Sequence, residues 1–175
     1  MAFITNKEKE VNTNITNIRT INEVHKDAMN KGISIVPFDI YKYVNSFDNI
    51  EINFNDDSLF PFTGLIEKYQ DGFVVTISKY VVSERQREIL AVLFAHLILH
   101  KDYILQNRKI AIRNLETRDK TRKEAIDFAS KLLMPKATFT IIGRELRTIE
   151  NVAKYFKVTS RMVNKRLFNL WDWLF

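Results

Sequence analysis

The sequence predicts an α+β fold, with helices around a small antiparallel sheet and a helix-turn-helix-like segment at the C-terminal end. Three observations carry that reading: a hairpin pattern over residues 62–78, a helix that starts at Ser83 and is almost wholly apolar from Ile89 to Leu99, and two short helical patterns either side of a turn after Thr148. A chain of 175 residues that is 46% hydrophobic and 27% charged suits one main domain with a sizeable core. The expected organisation is a flexible stretch over 1–14, a main domain over 15–140, and a helical segment over 141–175 packed on that same domain.

Taken in order, the first dozen residues are polar, and then Ile15, Ile18, Ile21, Val24 and Ala28 recur at helical spacing up to Gly32, a residue suited to ending a helix. Ile33, Ile35 and Val36 read as a short extended piece stopped by Pro37. Asp39 opens a short helix through Val44. Alternating Ile50, Ile52 and Phe54 predict a strand, followed by a polar loop at Asp56-Asp57-Ser58. Phe62 to Tyr69 and Phe73 to Ser78, joined through Gln70-Asp71-Gly72, form the hairpin. Ser83, with Glu84 in the first turn and Gln86 at the capping-box position, starts a helix that is apolar from Ile89 to Leu99 and is therefore expected at the centre of the core. A basic, polar connector over 101–123 leads to a helix from Glu124 to Met134, closed by Pro135.

Composition narrows the classes of function. No run reaches the roughly 18 apolar residues needed to cross a bilayer, and Met1 to Glu10 lacks the apolar core of a signal peptide, so the expected location is the cytoplasm, with no membrane partner. The absence of cysteine rules out disulfides, thiolate-bound zinc and a thiol nucleophile. Charge is uneven: residues 1–60 carry 6 Lys+Arg against 9 Asp+Glu, and residues 101–175 carry 17 against 8. A basic half of that kind attracts nucleic acid or an acidic protein face.

Any metal site must then be built from His, Asp or Glu. His96 and His100, four apart on the apolar helix, share a face, and with Glu124 they make a candidate His2Glu zinc set. Zinc hydrolases also place a general base beside the metal-bound water, commonly the Glu of His-Glu-x-x-His. Leu97 follows His96 here.

The pattern around these residues resembles the ImmA/IrrE family of bacterial and phage metallopeptidases. Members typically read Arg-x-x-Leu-Ala-His-Glu-Leu-Gly-His-Leu-x-Leu-His and, after a connector, Glu-Ala-x-x-Phe-Ala-x-x-Leu-Leu-Met-Pro. This chain has Arg87, Leu90-Ala91, Val92-Leu93-Phe94-Ala95-His96 and Leu97-Ile98-Leu99-His100, then Glu124-Ala125, Phe128-Ala129 and Leu132-Leu133-Met134-Pro135. The resemblance spans roughly residues 15–170 and implies a zincin-like peptidase scaffold. In this register the family's first zinc histidine falls on Val92 and its catalytic glutamate on Leu93, while His96 and Glu124 remain as vestigial ligands. A rival register takes His96 and His100 as the zinc histidines with Leu97 at the base position, but it displaces Arg87 and Leu90-Ala91. No catalytic residue is therefore assigned, and no cofactor is expected unless the rival register holds zinc.

The C-terminal segment adds an independent feature. Thr148 caps a helix containing Ile149, Val152, Ala153 and Phe156, Val158-Thr159 makes a turn, and Met162, Val163 and Leu167 continue on a second helix. The spacing resembles the helix-turn-helix of small repressors, with Lys157 in place of the usual turn glycine. Arg161, Lys165 and Arg166 on the second helix are candidate phosphate contacts. Trp171, Trp173 and Phe175 are expected to pack onto the body. The resemblance implies a regulator from a phage or other mobile element that acts by binding a protein partner such as a helix-turn-helix repressor. The alternatives are a zinc-dependent peptidase that cleaves such a repressor and a DNA-binding regulator that uses the basic half.

Overall fold

The computed structural model describes residues 18–55, 59–113 and 119–171. The expectations that fall on Ile15, Asp56-Asp57-Ser58, Trp173, Phe175 and the side chain of Trp171 lie outside what is described. Helix α1, Ile21–Asn30, begins later than the apolar spacing predicts, because Thr20 and Glu23 close a reciprocal capping box there. It ends in a Schellman turn: Gly32 sits at φ +66°, its amide donates to the Met29 carbonyl, and the Ile33 amide donates to Ala28. The piece at Ile35 is a single bridge to Phe38 rather than a strand. Asp39 then caps α2, Ile40–Val44, as predicted.

Four strands follow: β1, Ile50–Asn55; β2, Gly64–Tyr69; β3, Gly72–Ser78; and β4, Lys109–Ile112. The β2–β3 hairpin turns at Gln70-Asp71, with Tyr69 opposite Gly72 and Gln70 at φ +49°. The sheet order is β1-β3-β2-β4, and the sheet is mixed where an antiparallel one was expected. β4 joins β2 antiparallel, but β1 lies parallel to β3, Ile50 opposite Phe73. β3 lies between β1 and β2, so β1 pairs with the second strand of the hairpin rather than with its neighbour in sequence. Phe73, Val75 and Ile77 alternate into the core.

Helix α3, Ser83–Leu99, is buried all round from Arg87 to Leu97, as its composition predicts. The expected capping box at Ser83 does not form: Val82 is the cap residue, the Ser83 hydroxyl donates to Glu84, and the Gln86 amide donates to the Ser78 carbonyl. Gly64 lets β2 lie close on this helix, because a Cβ there would collide with Ile89 Cγ2 and press on Leu93 Cδ1 at 3.2 Å. The predicted connector contains structure of its own, α4 (Lys101–Asn107) and β4, before α5 (Lys120–Leu133) starts at its Asp119 cap.

Helix α6, Lys136–Leu146, runs through the boundary expected at residue 140 and ends at Arg147, whose φ is +59°. Thr148 caps α7, Ile149–Phe156, and α8 spans Ser160–Trp171. Lys157 takes φ +54°, the left-handed turn conformation that glycine adopts at least cost. Val158 and Ala153 are buried in the turn, so this pair of helices is closed by apolar contact as the spacing predicts.

Candidate functional site

The site region lies where α3 ends against α5. Two consecutive turns of α3 place Val92, Leu93 and His96 in its buried run, and the first two side chains are fully inaccessible. Leu93 contacts the underside of β2 at Gly64. A leucine in that position supplies packing and no proton transfer.

His96 is 2% exposed, and neither of its ring nitrogens has a hydrogen-bond partner. A neutral imidazole carries one donor and one acceptor, so two polar atoms are enclosed here without partners. Burial, with the His100 and Arg122 charges adding to it and Asp119 opposing, pushes the His96 pKa down to about 4. The ring is therefore neutral at pH 7.

His100 lies just past the end of α3, with a non-helical φ of −132°, and its amide donates to the His96 carbonyl. The two histidine rings are 5.2 Å apart, and His100 Nε2 lies 3.1 Å from Glu124 Oε2. Burial holds the His100 pKa below its ordinary value despite the carboxylates of Glu124 and Asp119. The contact is thus a neutral Nε2–H donating to a carboxylate, and His100 Nδ1 is left buried without a partner. Glu124 is half exposed, on the first turns of α5, with the Lys120 ammonium 4.0 Å from its other oxygen.

The structure therefore brings together His96, His100 and Glu124, the set of the rival register, while Val92 and Leu93 stay in the core. In the register that keeps Arg87 and Leu90-Ala91, the zinc set that the resemblance implies would be left with His96 and Glu124, one histidine short of a three-ligand centre, and among the described residues no group of three His, Asp or Glu side chains is placed to hold a metal. Sequence reasoning passed over Asp119 and Arg122, whose charges act on His96 from the start of α5. It also passed over Glu88, a fully buried carboxylate on α3 that accepts the Thr159 amide at 2.6 Å. A lone acid at the edge of an apolar helical run was the available signal.

The three candidate phosphate contacts separate. Arg161 is exposed, Lys165 is half-buried with its ammonium 5.9 Å from the Phe168 ring, and Arg166 is 4% exposed. Arg166 Nε donates to the Met134 carbonyl at 3.0 Å and its guanidinium faces Phe139, so it joins α8 to the end of α5 rather than reaching solvent.

No curated protein matches the chain. A family model described as the IrrE N-terminal-like domain, a peptidase family, matches residues 48–168, taking in the whole sheet, α3 through α7 and most of α8. That match covers more than half of the chain, so the chain belongs to the family of IrrE N-terminal-like domains.

Proposed function

We propose that this family member is a catalytically degenerate regulator that acts by binding a protein partner. The observation that supports the reading is Leu93: in the register that keeps Arg87 and Leu90-Ala91 the family's general-base position falls on this residue, a fully buried aliphatic side chain packed under β2. A helix-turn-helix repressor is the partner class implied by the family resemblance, and a phage or mobile element is the setting. Relief or enforcement of repression then comes from binding alone.

One observation favours a second reading, a zinc peptidase that uses His96, His100 and Glu124. The His96 and His100 rings are 5.2 Å apart, His100 meets Glu124, and both nitrogens of His96 are without partners. Direct DNA binding draws support from the basic half, but it loses Arg166 to the core.

The test is zinc content of the purified protein together with intact-mass analysis of partners captured from the native host. The expected result is no stoichiometric zinc and an intact captured protein. Cleavage of that partner by the wild-type chain, stopped by a chelator, would establish the peptidase reading in its place. Captured nucleic acid without protein would establish the third.

A further inference from the structure

One cavity shares no residue with the His96 cluster. It lies between α6, α7 and α8, has a volume of about 360 Å³, and is floored by Phe139, Val152, Val163 and Leu167. That is the size of a ligand-binding cleft, for which about 300 to 1,000 Å³ is usual.

Two features of its rim say what would enter it. Gly143 lies in the last turns of α6, and no atom lies within 4 Å of where its Cβ would stand. Neither packing nor a positive φ requires glycine there, and an alanine would form helix more readily. The consequence of the missing side chain is open space along the groove. The second feature is charge. Arg144 and Arg147 line the groove, both are exposed, and among the described residues neither has a carboxylate partner. The N-terminus of α7 begins beside them at Thr148 and Ile149 and adds its partial positive charge. The nearby acids Glu145 and Glu150 are exposed and do not line the groove.

We infer that this groove is a docking site for an amphipathic segment of a partner protein, with apolar side chains on one face and Asp or Glu flanking them. Apolar anchors fill the floor beside Gly143, and the flanking carboxylates pair with Arg144 and Arg147. This is the helix-in-groove mode of recognition, with the arginines selecting against basic segments. The inference does not depend on the state of the peptidase centre.

The experiment is selection of a random peptide library on the full chain, followed by anisotropy titration of the enriched peptides. Enriched sequences are expected to combine Leu, Ile or Phe with flanking Asp or Glu. Gly143→Leu, which fills the groove, and Arg144→Glu with Arg147→Glu, which inverts the rim, are each expected to weaken binding at least about tenfold. Gly143→Leu should melt at or above the wild-type temperature, which separates a blocked groove from a misfolded chain. Enriched peptides without acidic bias, or bound equally by both variants, would overturn the inference. So would a dimer of this chain that Gly143→Leu dissociates, or a peptide site that appears only when residues 172–175 are removed, since these name other occupants.

Discussion

At His96 a neutral ring is enclosed without hydrogen bonds, so protonation is costly in the folded chain and free in the unfolded one. Its folded pKa of about 4 lies below the ordinary 6.5, so the stability it contributes is complete above pH 6.5 and is lost as the pH falls towards 4. Between pH 7 and 5 the loss is expected to be about 2 kcal/mol, at ~1.4 kcal/mol per pKa unit. His25 and His100 shift in the same direction, so the measurement is a comparison of denaturant unfolding at the two pH values for wild type and His96→Phe. An equal loss in both would remove His96 as the cause. Val92→His with Leu93→Glu rewrites the family motif but puts two polar groups into a closed core, at about 1 to 3 kcal/mol each if unsatisfied. The double variant is expected to melt lower than wild type and to show no robust cleavage of the native partner, read by melting temperature and mass analysis. The histidine spacing was legible in the sequence. The pairing of His100 with Glu124 was not, because it depends on α3 ending at Leu99 and on where α5 lies across the fold.

Two glycines inside regular elements should respond to alanine with opposite sign. Gly64→Ala drives a methyl group into Ile89 and Leu93 and is expected to cost about 1 to 3 kcal/mol. Gly143→Ala meets nothing and is expected to stabilise by about 0.5 to 1 kcal/mol through helix propensity. Chemical denaturation of the two variants checks both, and a destabilised Gly143→Ala would show that α6 needs its glycine. The long periodic elements could be read from the sequence: α3 from its apolar run, the β2–β3 hairpin from its turn, α7 and α8 from Thr148 and the buried Ala153 and Val158. The short ones could not. β4 is four residues in a basic stretch, and only its pairing with β2 identifies it as a strand. The parallel partner of β1 is likewise a non-local choice that alternation along one strand cannot encode.

Across the whole molecule, positive charge gathers in residues 101–175, and the expectation for duplex DNA is weak binding that fades near physiological salt. The log-log slope should be about −0.9 for each phosphate neutralised. Arg166→Ala is expected to lower the melting temperature, because its bond to Met134 is buried. Tight, sequence-selective binding lost in Arg161→Ala would reverse the ranking of the proposed functions. The order of the longer elements in the main domain was legible and the C-terminal helices were expected to pack on it, but the contacts that join them were not, since these rest on Glu88, Arg166 and Asp127, which meet partners far away in the chain. Glu88 and His96 stand on one rod, eight residues and about 12 Å apart along α3. At one end the rod carries the histidine cluster, and at the other its carboxylate grips the Thr159 amide at the α7–α8 turn. A packed helix moves as a unit, so α3 cannot slide lengthwise under load at the His96 end without dragging or breaking that grip. The turn between the last two helices is in that sense geared to the histidine cluster.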